Sequence, residues 1–133
     1  MPVRVPNFDA MVESALRNVP AEFRSRLDNI ALVVEEEPSA ALLEARGVGP
    51  GGTLLGLYEG QPLTARSVFD PFRLPGRITI FQGPHERMAR DHEHLERLVE
   101  QTLWHEIAHH LGMDEHQVRA AERGRRARHL WPH

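Results

Sequence analysis

The segment His105-Glu106-Ile107-Ala108-His109 follows the pattern H-E-x-x-H, which sets two imidazoles and a carboxylate close together in the chain. On an α-helix, residues four apart are offset by about 40° and rise by about 6 Å, so His105 and His109 would project to one side. Their ring nitrogens could then reach a single zinc ion at roughly 2.0–2.1 Å, leaving room for a third protein ligand and a water. Zinc lowers the pKa of bound water towards about 7, and a neighbouring carboxylate accepts the proton as the water attacks a polarised carbonyl. Glu106 is the candidate general base, and amide hydrolysis is the expected chemistry.

The chain continues His110-Leu111-Gly112-Met113-Asp114-Glu115-His116. Gly112 can take a positive φ and turn the backbone out of the helix toward the metal, so a third ligand should follow directly. Counting as in the longer pattern H-E-x-x-H-x-x-G-x-x-H, the eleventh position is Glu115. Asp114 and His116 flank it, and spacing alone keeps both open. His110 diverges from His109 by about 100° and reads as a structural residue or an outer partner of the site. His92 and His94 read as solvent-exposed. The alternative to a metal site is a buried helix whose imidazoles are satisfied by backbone or water. The helical context, Gly112 and the acidic eleventh position weigh against that alternative.

Such a site needs a helix, and from Glu86 to Leu111 no Gly or Pro interrupts the chain. Leu95, Leu98, Val99 and Leu103 form one helical stripe, while Trp104, Ile107, Ala108 and Leu111 cover the rest of the circumference. The second half of this helix should therefore be buried on most sides. A further helix is expected from about Asp114 to Arg126. Upstream, Phe8 to Asn18 reads as an amphipathic helix with Asn7 as its cap, ended by Pro20. Ser39 to Arg46 reads as a short helix closed by Gly47. Strands are expected at Ile30 to Val34, at Thr53 to Tyr58 and at Ile78 to Phe81, the last ended by Gly83-Pro84.

Composition narrows the chemistry. The chain of 133 residues suits one domain, 1–133, with one core. It contains no Cys, which excludes disulfides, thiolate catalysis and Cys-ligated zinc, so any metal must be held by His and carboxylates. A net charge of −3 gives no general reason to approach nucleic acid or an anionic membrane. The acidic run Glu35 to Glu37 and the basic stretch of Arg119, Arg123, Arg125, Arg126 and Arg128 both read as solvated surface. Met1 to Ala10 has no signal-like apolar run and no segment reaches membrane-span length, so a cytoplasmic location is the default.

Beyond this, the sequence resembles the short bacterial zincin-like metallopeptidases, or minimal zincins. The likeness covers most of the chain: Ala21 to Asn29, Leu54-Leu55-Gly56-Leu57-Tyr58-Glu59-Gly60 with Pro62-Leu63-Thr64, Leu74-Pro75 to Phe81, and the His105 segment. The resemblance implies an α+β fold, a small twisted mixed β-sheet packed against an N-terminal helix, a long active-site helix and a C-terminal helix. It implies Zn2+ held by His105, His109 and the residue at position 115, where Asp is usual and this chain carries Glu. It also implies that the methionine turn of larger relatives is missing, and that Trp131 could close the floor of the site instead.

The leading expectation is thus a zinc-dependent peptidase acting on peptide or protein substrates, with Glu106 as base. The rival is a non-catalytic metal-binding or interaction domain on the same scaffold, since so short a chain leaves little mass for the far wall of a cleft. Association of two copies would be one remedy. Tyr58 and Arg66 are weaker candidates for oxyanion donors. The strand Ile78 to Phe81 could offer an edge to an extended peptide.

Overall fold

The computed structural model of the chain describes residues 6–27, 30–60, 76–113, 116, 117, 119 and 120. It is an α+β structure whose sheet is mixed. Strand β1 (Ile30–Glu35) runs parallel to β3 (Gly76–Phe81), and β2 (Gly56–Glu59) runs antiparallel to β3, giving the order β1-β3-β2. The strand expected to start at Thr53 thus begins its ladder only at Gly56. β3 is the central strand, paired on both sides, and so cannot offer an edge; among the described strands the edges are β1 and β2. The apolar density of Ile78, Ile80 and Phe81, all nearly fully buried, suits a strand enclosed on both sides.

Helix α1 (Phe8–Arg17) forms where expected: the Asn7 side chain accepts a hydrogen bond from the Ala10 N–H at 3.1 Å. Phe8, Val12 and Ala15 are its buried face. A short helix that the sequence pattern did not suggest, α2 (Ala21–Arg24), starts directly after Pro20. From it Phe23 meets Trp104 edge to face, with ring centroids 5.0 Å apart. Helix α3 (Ala40–Ala45) is capped by Ser39, which accepts from Leu42 N–H at 3.0 Å, and Gly47 follows with φ 70°.

The uninterrupted helix expected from Glu86 is in fact two. Helix α4 (Gln82–Met88) and helix α5 (His92–His110) are separated by Ala89, which is extended at ψ 138°. The break is stabilised by polar groups rather than by Gly or Pro. The Asp91 side chain caps α5 by accepting from His94 N–H at 2.8 Å, and the His94 ring Nδ1 accepts from Arg90 N–H at 2.9 Å. Gly83-Pro84 does not end the preceding strand with a loop; both residues lie in the first turn of α4, where proline's missing N–H leaves no bond unmade.

The core forms between the sheet and α5. Ile78 and Ile80 pack with Leu95, Val99, Leu103 and Ile107 of α5, and α1 covers the same helix through Phe8, Val12 and Ala15. Burial of each large side chain contributes about 1.5–3 kcal/mol. No helix among the described residues is long and apolar enough to cross a membrane.

The acidic run is surface, as its composition suggests, but two of its members are engaged. Glu35 meets Arg77 at 2.7 Å, and Glu37 takes a two-pronged contact from Arg87 at 2.6 and 2.9 Å. The hydrogen bond from Arg87 holds the Glu37 carboxyl below the usual carboxylate range. A methyl group at Gly83 would run into that Glu37 carboxylate, while the Gly83 N–H donates to Glu36 O at 2.8 Å. Gly83→Ala is therefore expected to lower stability by about 1–3 kcal/mol, read as a reduced midpoint in thermal unfolding. An unchanged midpoint would mean that the Glu37–Arg87 pair yields without cost.

Candidate metal centre

The last two turns of α5 carry the H-E-x-x-H residues. Trp104, Ile107 and Ala108 are at most 1% exposed and fix one side of the helix in the core, which leaves His105 half-buried and His109 exposed on the other. The two imidazoles lie edge to face with ring centroids 4.9 Å apart. Glu106 is buried, and its Oε1 lies 3.4 Å from His109 Nδ1. The helix thus brings the His109 ring against both the His105 ring and the Glu106 carboxylate.

The pair can be tested for fit to zinc. With zinc about 2.0–2.1 Å from each nitrogen, nitrogens about 1.1 Å from each ring centre, and near-tetrahedral angles, the ring centres stand about 5 Å apart. The observed 4.9 Å is compatible with that requirement, and it is also an ordinary edge-to-face ring separation. Nitrogen ligands from imidazole and oxygen ligands from carboxylate are also the donor types zinc takes in a chain without Cys.

Beyond the helix, the expected turn is present. Gly112 has φ 72°, its N–H donates to His109 O, and the Met113 N–H donates to Ala108 O, each at 3.0 Å. These two bonds make a Schellman motif, which needs the positive φ that glycine adopts without strain. Of the candidate third ligands, Asp114 and Glu115 lie outside the described residues, and His116 is exposed. Among the described residues no group of three or more His, Asp or Glu side chains is arranged to hold a metal ion. Arg66 and Trp131 also fall outside the described residues.

The other candidates sort as follows. His110 is buried and points away from the His105 face; its Nδ1 lies 3.0 Å from the Tyr58 hydroxyl, with the rings edge to face at 5.3 Å. This contact ties the end of α5 to β2, and it engages the Tyr58 hydroxyl that the sequence offered as an oxyanion donor. His92 and His94 sit at the far end of α5, where His92 Nε2 meets Glu96 at 3.1 Å.

Three neighbours of the site escaped sequence reasoning. A Cβ built on Gly56 of β2 would come 2.6 Å from Thr102 Cγ2 and 3.3 Å from Glu106 Cγ, so only glycine lets β2 lie this close to the base. Thr102 in turn places its Oγ1 2.9 Å from Nε2 of His85, a residue with no exposed surface, while His85 Nδ1 lies 2.7 Å from Phe81 O. One signal could have found Thr102: it stands four residues before Glu106, on the same helical face.

Burial lowers the pKa of His85 below its usual value, against the opposing pull of the Phe81 and Leu98 carbonyls. A base whose folded pKa is depressed stays neutral while the unfolded chain takes up a proton, so stability is complete above the ordinary histidine pKa of 6.5 and falls below it. The loss from this one residue should approach about tenfold in the folding equilibrium per pH unit, ending once the folded form also protonates. Unfolding of the wild type and of His85→Gln at pH 7.5 and pH 5.5 checks this, at roughly these buffer values either side of the histidine range. An equal pH slope in both proteins would remove His85 as the cause.

Among solved structures, a conserved hypothetical protein from Thermo thermophilus is similar, with 24% identity, coverage of 87% of this chain and 95% of that one, and a TM-score of 0.51. At that identity the likeness is one of fold. No curated protein sequence matches the chain. A family-wide sequence model described as zincin-like metallopeptidase matches residues 27–125, a span holding the whole sheet, α5 and the turn at Gly112. The chain belongs to the zincin-like metallopeptidase family.

Proposed function

We propose that this protein is a zinc-dependent peptidase of the cytoplasm, with His105, His109 and Glu115 as metal ligands and Glu106 as general base. The observation that carries this reading is the separation of the His105 and His109 rings, 4.9 Å, with the Glu106 carboxylate 3.4 Å from His109. Zinc held there supplies Lewis acidity to the reacting oxygens. Glu106 accepts a proton from the attacking water and, as the carbon–nitrogen bond breaks, passes it to the departing amine. The carboxylate is buried, and its stem rests against β2.

The substrate is a peptide in extended form. Among the described residues β2 forms a ladder with β3 alone, and a peptide would add as a strand along the sheet edge that β2 makes. Gly56 sets β2 beside Glu106, which would bring a bound peptide bond to the base. Digestion of a peptide library by the zinc-loaded protein, compared with Glu106→Gln, tests the proposal. Cleavage that is equal in the two proteins would remove Glu106 as the base, and cleavage missing from both with zinc retained would leave only a metal-binding scaffold.

A further inference from the structure

We propose that Thr102, locked by His85, is a positioning residue that fixes the gap between β2 and Glu106. The inference rests on the peptidase reading and deepens it. Phe81 O can only accept, so at 2.7 Å from it the neutral His85 ring carries its proton on Nδ1. Nε2 is then an acceptor, and the Thr102 hydroxyl donates to it at 2.9 Å. Both groups are buried, with His85 at 0% and Thr102 at 8% exposure, so water does not compete for this bond.

The bond decides which way Thr102 faces. A helical threonine otherwise divides its time between two rotamers, because its hydroxyl can also bond back to the preceding turn. With the hydroxyl held toward α4, the Cγ2 methyl is directed at Gly56, where it would stand 2.6 Å from an added Cβ. The second side chain of α5 against Gly56 is Glu106, through Cγ at 3.3 Å from the same point. β2 therefore rests on two supports of one helix face, a methyl fixed by His85 and the stem of the base itself. Rotation of the methyl out of this position would let β2 settle toward the helix, and a shift of about 1 Å between base and substrate can cost about 10²-fold in rate.

Thr102→Val removes the donated proton and with it the bond that holds the methyl toward Gly56, whereas Thr102→Ser keeps the donor and removes the methyl. Thr102→Val should bind zinc as the wild type does, by chelator competition, and hydrolyse a fluorogenic peptide chosen from the library with about tenfold lower kcat and unchanged KM. It should also weaken the nuclear Overhauser contact between the Gly56 α-protons and the Glu106 γ-protons. Gly56→Ala should lower kcat likewise, and Gly56→Ala with Thr102→Ser should recover most of it, because the double variant removes the methyl that the new Cβ meets. That pair decides the matter if Thr102→Val does not fold. A Thr102→Val protein with reduced thermal stability but unaltered kcat and contact, or a double variant without recovery, would overturn the proposal. If the wild type shows no Glu106-dependent hydrolysis, the peptidase reading fails separately, and the Gly56–Glu106 contact alone judges the positioning role.

Discussion

Replacement of Glu106 by glutamine is expected to reduce kcat by about 10²–10⁴-fold while the protein stays folded and keeps its zinc. Gln has the same shape and leaves the stem intact, so the contact of Cγ with the Gly56 backbone survives. What it loses is the capacity to accept a proton. The carboxylate side chain is only 11% exposed, so bulk water has limited access to substitute for it. Because Glu106 is not counted among the ligands, metal content measured on the purified variant should equal that of the wild type, and KM should change little. A variant that loses zinc together with activity would instead make Glu106 a ligand. A variant as active as the wild type would end its role in proton transfer.

Removal of His105 or His109 should have the opposite signature, loss of metal itself. Changes to residues outside the ligand set typically cost about 10–100-fold in metal affinity, and loss of a direct ligand should exceed about 100-fold. Each imidazole supplies half of the ring pair whose spacing matches one tetrahedral ion, so neither can stand in for the other. Glu115→Ala should join this class, because Glu115 holds the eleventh position of the motif, shortly after the turn at Gly112. Metal analysis of His105→Ala, His109→Ala and Glu115→Ala beside Asp114→Ala and His116→Ala distinguishes the three possible third ligands. Zinc retained by Glu115→Ala but lost from one of its neighbours would reassign the ligand. Zinc retained by His105→Ala would remove the site.

The His105–His109 pair was legible because a period of 3.6 residues leaves no freedom: once the helix is granted, positions four apart share a face. The caps Asn7 and Ser39 were legible for a similar reason, since each satisfies donors within its own turn. The break at Ala89 was not, because nothing in its composition forbids a helix. It exists through Asp91 and His94, whose capping bonds offset the lost helical ones, and through burial of His85 against Thr102. Asp91 ahead of the apolar stripe was a readable helix start that absence of Gly and Pro obscured. Strand order was hidden for another reason. The apolar run Ile78 to Phe81 marks a buried strand, yet a choice between centre and edge depends on partners far away in the chain. Gly56 and Thr102 carry no motif, and their meaning arises only where sheet and helix touch.

Parallel alignment of Ile30 with Gly76, and of Glu35 with Phe81, also sets the tempo at which the molecule assembles. Strands that run the same way cannot be joined by a tight turn, so the long intervening chain must be closed before their ladder yields any return. Helical turns form in about a microsecond, whereas such distant pairing is slower, so the ladder of β1 and β3 is expected to close after the helices have formed. On that order the histidine pair would be set on its helix before β2 comes to lie beside the carboxylate.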